Sequence, residues 1–125
     1  TTPKNSYLKA VVNTLNGNYA EAYPYMASKG GLNEVLVLLC MGRNKEADAK
    51  ISVLLEDKKN WTNPNIWYVK AICANRLEDL GWAIEALTQA ITLDPKLEEI
   101  ARLDSDVMDI MDITWFSLTV SRTRA

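Results

Sequence analysis

The sequence contains no histidine among its 125 residues. Histidine is the commonest general base in enzymes and the commonest metal ligand, so its absence removes the usual starting point for either kind of site. Lysine and arginine number 14 against 16 aspartates and glutamates, which leaves a net charge of −2. This balance provides no general attraction to nucleic acid or to an anionic membrane, and we expect neither as a partner.

Long apolar runs and cysteines are also scarce. The longest apolar stretch, Val35 to Met41, is far shorter than the roughly 18 residues of a membrane span, so it predicts a buried helix and no membrane insertion. The two cysteines, Cys40 and Cys73, stand in apolar helical surroundings and are expected as buried thiols rather than as a disulfide. No initiator methionine or signal peptide precedes Thr1, so we expect a processed or excised product whose targeting signal or membrane anchor lies outside this sequence.

Motifs that carry chemistry are missing as well: there is no glycine-rich phosphate loop, no Cys-x-x-Cys pair and no serine nucleophile motif. The run from Asp104 to Asp109 faintly resembles a calcium loop, but it lacks the turn glycine and the distal glutamate that such a loop needs. We interpret these aspartates, with Asp112, as residues that cap and line the first turn of a helix. We therefore expect no enzyme, no metal site and no cofactor.

An internal repeat is the most informative feature that is present. Tyr7-Leu8-Lys9-Ala10-Val11-Val12 is matched by Tyr68-Val69-Lys70-Ala71-Ile72-Cys73, and an alanine, Ala22 or Ala83, follows each tyrosine by fifteen residues. Self-similarity at this scale is typical of helical repeat arrays, in which one unit buries its apolar face only against a stacked neighbour. The sequence therefore predicts an all-α fold.

Apolar residues at helical spacing, bounded by turn residues, predict three helix pairs and a C-terminal capping segment within one domain over residues 1–125. The clearest start signal is Asn63 as N-cap before Pro64 at the first helical position. The helix pairs are expected over about 5–28, 31–56 and 64–93, the capping segment over 95–115 with short helices at 95–103 and 106–114, and a frayed or extended tail over 116–125.

One helix pair carries a more specific pattern. It has Trp67 in its first helix, small residues where the two helices would pack, and a closing Leu93-Asp94-Pro95; the small residues are Ala71, Ala83 and Ala90. This stretch, Pro64 to Pro95, resembles a tetratricopeptide repeat, a helix-turn-helix unit of 34 residues. Two further turns, Gly17 to Ala22 and Gly42 to Ala47, resemble the inter-helix turn of that family in degenerate form.

The resemblance covers roughly residues 6–97 and implies an α-α superhelix of about three helix pairs. Four residues depart from the pattern and leave its superhelical regularity open: Lys9, Pro24, Gly31 and Lys70. Pro24 is expected to kink its helix or to delay the start of that helix. Lys70 replaces a usual leucine, and we expect its methylene stem to lie along the helix seam with its charge in water.

The resemblance also implies a binding site. In tetratricopeptide arrays the first helix of each pair lines a concave groove that takes an extended peptide or a partner helix. When the sequence is aligned with the tetratricopeptide pattern, six residues would face this groove: Tyr7, Val11, Tyr68, Ile72, Asn75 and Arg76. Tyrosine and arginine are enriched at interface hot spots. Alternatively, the two tyrosines only pack against neighbouring helices, and Asn75 and Arg76 are solvated. The family's chaperone-tail clamp is not expected, because Tyr7, Val11 and Val69 occupy several of its positions.

Two functions stay open at this point. The first is a non-catalytic scaffold or adaptor that binds a protein or peptide partner of unknown identity in the groove. The second is a spacer or assembly module of a larger protein, because the Tyr-x-Lys-Ala pattern is similar to repeats of bacterial cell-envelope lipoproteins, especially of the Bacteroides group. A groove rich in exposed aromatic residues favours the first function, and a groove filled by the chain's own tail favours the second.

Trp82 is expected to dock against the C-terminal segment or to mark a contact surface.

Overall fold

The computed structural model describes residues 31–124, with side chains as far as residue 120. Within this range all regular structure is helical, which confirms the predicted all-α class. The predicted helix pair over about 5–28, with Pro24, lies outside the described residues. The α-helices are α1 (Gly31–Cys40), α2 (Asn44–Leu55), α3 (Pro64–Arg76), α4 (Leu80–Leu93), α5 (Leu97–Leu103) and α6 (Met111–Arg124), and Lys58–Thr62 and Met108–Ile110 form short 3-10 helices.

The chain divides into two compact units, Thr1–Ile51 and Ser52–Ala125, and the division falls within α2. In the first unit, α1 ends in a turn at Gly42, whose φ of 75° favours glycine. The amide of Arg43 donates to the carbonyl of Leu38 at 2.9 Å, a bond typical of a glycine-terminated helix. An ion pair of 3.3 Å between Lys50 and Glu34 joins α2 to α1.

The second unit begins with the end of α2 and a turn that fixes the start of α3. Asn63 caps α3, since its side chain accepts a hydrogen bond from the amide of Asn65 at 3.0 Å, and Pro64 follows at the first helical position. The predicted start signal is therefore confirmed. Two tryptophans close the turn, because the indole of Trp61 donates to the carbonyl of Leu55 and the indole of Trp67 donates to the carbonyl of Trp61.

Helices α3 and α4 form the most extensive packing contact in this unit. The alanines expected between them are fully buried: Ala71, Ala83 and Ala90. Small side chains at these positions let two helices approach closely. The turn between the helices is held by a 2.8 Å hydrogen bond from the amide of Asp79 to the carbonyl of Ala74. Glu78 stands in this turn with a φ of 63°, a left-handed conformation that is strained for a residue with a side chain.

Helix α6 corrects the prediction for the end of the chain. A helix was expected only to about residue 114, with a frayed or extended tail over 116–125, yet α6 continues to Arg124. The buried residues Met111, Thr114 and Leu118 keep helical spacing beyond the expected end, and α6 packs against α4. Its β-branched residues favour helices weakly, so tertiary contact decides the conformation.

The two cysteines differ in environment. Cys73 is buried in α3, as expected, whereas Cys40 at the end of α1 is exposed. Burial of Cys40 was therefore a wrong prediction. The apolar run around it belongs to a helix with one solvent-facing side, and position 40 falls on that side together with Leu36.

Candidate functional site: the face of helix α3

Four of the six predicted groove residues lie on one face of α3, and we call this set the α3 face: Tyr68, Ile72, Asn75 and Arg76. Their spacing of four, three and one residues brings them to the same side of a helix. Tyr68 is 8% exposed and Ile72 is likewise buried, whereas Asn75 and Arg76 are partly exposed. The other two predicted residues, Tyr7 and Val11, lie outside the described residues.

Tyr68 binds a residue of its own chain. Its hydroxyl donates a 2.7 Å hydrogen bond to Oδ2 of Asp104, a residue that follows α5. Burial raises the pKa of the Tyr68 hydroxyl well above its ordinary value, and the hydrogen bond to Asp104 and the negative charges of Asp104 and Asp106 raise it further. Tyr68 is therefore a neutral hydrogen-bond donor over the whole physiological pH range.

Asn75 and Arg76 bind the same short stretch of chain. The amide nitrogen Nδ2 of Asn75 donates to the carbonyl of Asp106 at 2.7 Å and to Oδ1 of Asp109 at 2.9 Å. The guanidinium of Arg76 donates to both carboxylate oxygens of Asp106, from Nε at 3.0 Å and from Nη2 at 2.9 Å. A guanidinium that binds both oxygens of one carboxylate has well-defined geometry, and it is among the stronger polar contacts in proteins.

We call residues 104–109 the acidic segment. It is itself well ordered by local hydrogen bonds: Oδ1 of Asp104 accepts from the amide of Asp106 at 2.9 Å, and the carbonyl of Asp104 accepts from the amides of Val107 and Met108. The side chain of Val107 is fully buried. The segment is therefore a preformed turn anchored in the core, with its carboxylates directed to the α3 face.

This arrangement corrects the interpretation of Asp104 and Asp106. Asp109 and Asp112 do stand in the first turns of the second 3-10 helix and of α6, as expected. Asp104 and Asp106 were expected to cap or line a helix, but they accept hydrogen bonds from Tyr68 and Arg76 on α3. The 3-10 helix that follows has no side-chain cap. A signal was present in the sequence, because carboxylates in the last third of the chain match hydrogen-bond donors on α3. Such a match does not specify which residues pair until the helices between them are placed.

Among the described residues, no group of three acidic or thiol side chains is arranged to hold a metal ion.

A concavity in this unit lies beside Lys70 of α3. It has a volume of about 280 Å³ and is lined by Ser52, Leu55, Glu56, Lys70 and Trp82. Lys70 was expected to keep its charge in water, but it is only 8% exposed. Its ammonium donates to Oγ of Ser52 at 3.3 Å and lies 5.4 Å from the centre of the Trp82 ring. Hydroxyl and aromatic contacts explain how the charge is accommodated at this depth.

Trp82 was expected to dock against the C-terminal segment. The structure places its half-exposed ring over the Lys70 ammonium, at the wall of the concavity. Helices α4 and α6 pack together, and Leu87 and Ile91 of α4 are fully buried. The alternative that Trp82 marks a contact surface stays a prediction.

No helix in the described part of the chain has the length and apolar character needed to cross a membrane. Comparison of the chain with protein-family models, with characterised proteins and with solved structures finds no match in any of the three. The function therefore has to be argued from the α3 face and its surroundings.

Proposed function

We propose that this chain is a non-catalytic helical module of a larger protein, built from tetratricopeptide-like helix pairs, and that its role is assembly rather than peptide capture on the α3 face. The observation that carries this proposal is the set of hydrogen bonds from Tyr68, Asn75 and Arg76 to the acidic segment. Residues that would hold a partner in a groove hold the chain's own C-terminal part instead. This is the arrangement that favours an assembly or spacer module.

Energetic considerations support the same function. A peptide that used the α3 face would have to displace the acidic segment, losing about 1 kcal/mol for each hydrogen bond between them. It would also expose Val107, which is fully buried, at about 1.5 to 3 kcal/mol. A peptide could therefore bind the α3 face only after these interactions with the acidic segment were lost. The α3 face is better suited to hold the C-terminal segment in place than to bind a partner that comes and goes.

The helix-pair character supports the tetratricopeptide-like part of the proposal. Ala71, Ala83 and Ala90 are buried in the tightly packed pair of α3 and α4, as the resemblance implies. The helices that follow, α5 and α6, both pack against α4, and in this proposal they act as the capping segment of the pair. Modules of this kind act in assembly because their outer helices present surfaces to neighbouring proteins. The likeness to cell-envelope lipoprotein repeats suggests a larger envelope protein as the setting.

The proposal is tested by protein capture with three baits: the wild-type chain, the double variant Tyr68→Ala/Arg76→Ala, and the control variant Arg43→Ala, which removes an exposed cation elsewhere. Circular dichroism first confirms that all three are helical. An assembly module retains the same proteins on all three baits. A protein retained by the wild type and by Arg43→Ala, but lost with the double variant, would contradict the proposal and identify α3 as a partner groove.

A further inference from the structure

The concavity beside Lys70 has a partly exposed apolar wall. Leu55 and Trp82 form this wall, and Trp82 is 47% exposed. The contact between its ring and the buried Lys70 ammonium helps to hold the ring in one orientation, so little is lost in ordering it when a partner binds. At about 280 Å³ the concavity is smaller than the roughly 300–1,000 Å³ of typical small-molecule pockets, and it suits a single side chain of another protein.

Three exposed carboxylates lie close to Trp82. Glu56 lines the concavity together with Trp82. The carboxylate of Asp79 accepts a 3.3 Å hydrogen bond from the backbone amide of Trp82. Glu85 stands three residues after Trp82 on α4, a spacing at which helical side chains are neighbours. The apolar wall of the concavity therefore has acidic surroundings.

Basic residues of the chain do not balance these carboxylates. The sequence has no lysine or arginine from residue 77 to residue 95, which includes all of α4. Within the described part of the chain, the side chains of Glu56 and Glu85 form no ion pair. Lys58, the basic residue nearest to Glu56 in the sequence, lies over the ring of Trp61, with its ammonium 6.0 Å from the ring centre. Uncompensated charge of one sign beside an exposed aromatic ring favours a partner of the opposite charge.

We propose that the concavity binds a basic segment of another protein, in which an apolar side chain is flanked by lysine or arginine. The apolar side chain packs on Leu55 and Trp82, and the flanking cations lie at the carboxylates of Glu56, Asp79 and Glu85. Charge selects this partner over an acidic one, because like charges brought together at an interface weaken binding. The inference rests on the proposed assembly role, since it states the chemistry of the protein that the module contacts.

Three short peptides test the inference on the whole chain. The leucine–lysine peptide has a central leucine with two lysines on each side, the leucine–glutamate peptide replaces the lysines by glutamates, and the glycine–lysine peptide replaces the leucine by glycine. Titration followed by nuclear magnetic resonance, at about 20 mM salt where surface charges are weakly screened, measures each dissociation constant. We expect a dissociation constant of about 1 mM or lower for the leucine–lysine peptide, and values at least about fivefold higher for the other two.

Matched variants locate the site of binding. Trp82→Ala should raise the dissociation constant of the leucine–lysine peptide at least about fivefold, whereas Trp115→Ala, at a tryptophan of α6 that is 46% exposed, should leave it unchanged. Glu85→Lys should raise it about threefold or more, and Glu99→Lys, at an exposed residue of α5, should leave it unchanged. Far-UV circular dichroism shows whether each variant is folded. Glu85→Lys alters only an exposed side chain, so it tests the site even if Trp82→Ala does not fold.

Three results would overturn the inference: no binding of the leucine–lysine peptide, equal binding of this peptide and either of the other two, or binding that is insensitive to Glu85→Lys. Each of them leaves the assembly role standing as long as the acidic segment of the wild type is protected from hydrogen exchange. Absence of that protection counts against the assembly role itself, whichever peptides bind. The two failures are therefore distinguishable.

Discussion

The hydroxyl of Tyr68 lies 2.7 Å from Oδ2 of Asp104, a residue 36 positions later in the chain. This hydrogen bond joins the middle of α3 to the start of the acidic segment. It connects a residue predicted to bind a partner with a residue predicted to cap a helix. The α3 face and the acidic segment are therefore two halves of one intramolecular contact.

The Tyr68 hydroxyl should contribute measurably to stability. Tyr68→Phe removes the donor and leaves the part-buried carboxylate of Asp104 without this hydrogen bond, so we expect a loss of about 1 to 2 kcal/mol in the free energy of unfolding. Urea denaturation at neutral pH measures it. A double-mutant cycle with Asp104→Asn supplies the control, because a coupling energy near zero would show that the two side chains do not act on each other.

Stability should also fall at high pH because of Tyr68. Its pKa in the folded chain is raised above the value of about 10 that it has when unfolded. The stability linked to its proton is therefore fully present below about pH 10 and is lost as the pH rises towards the folded-state pKa. Urea denaturation from about pH 9 to 11.5 should show a steeper fall for the wild type than for Tyr68→Phe. Equal slopes would contradict this account of Tyr68.

Two arginines should differ in their effect on stability. Arg76 binds both oxygens of Asp106 across 30 residues of chain, whereas Arg43 pairs with Glu46 one turn away on a more exposed surface. We expect Arg76→Ala to lower the free energy of unfolding by about 1 to 2 kcal/mol and Arg43→Ala by less than about 0.5 kcal/mol. Denaturation of both variants under one set of conditions makes the comparison. A loss as small for Arg76 as for Arg43 would argue against the paired geometry.

Two turn positions should respond to glycine in opposite directions. Glu78 has a φ of 63°, so Glu78→Gly relieves strain, and we expect a gain of about 0.5 kcal/mol after the added freedom of the unfolded chain is counted. Gly42 has a φ of 75°, so Gly42→Ala introduces the same strain and should cost about 1 kcal/mol. Thermal unfolding of both variants measures the two changes. Shifts in the same direction would contradict the assigned turn conformations.

Local signals in the sequence predicted the α3 and α4 pair well. Asn63 and Pro64 mark the start of α3 because capping depends only on neighbouring backbone amides. The buried alanines follow from helical spacing and from the need for small side chains between close helices. The end of α6 was missed, because β-branched residues beyond the predicted end, Thr119 and Val120, have weak helix preference and become helical through the packing of α6 against α4.

The candidate site was predicted in part. The resemblance to the repeat family placed Tyr68, Asn75 and Arg76 on one side of a helix, and the structure has them on one face of α3. What these side chains bind was not predicted, because the acidic segment reaches them only after two intervening helices turn the chain back. Lys70 was misjudged for a similar reason, since Ser52 and Trp82 belong to different helices.

The central claim is that the α3 face holds the acidic segment in place, and hydrogen–deuterium exchange tests it most directly. The amides of Val107 and Met108 both donate to the carbonyl of Asp104, so their protection reports whether the segment is ordered. In Tyr68→Phe/Arg76→Ala, we expect peptides over residues 104–110 to exchange at least about tenfold faster than in the wild type, a loss of about 1.4 kcal/mol in local stability. Arg43→Ala should leave them unchanged. Equal exchange of these peptides in the double variant and the wild type would contradict the claim.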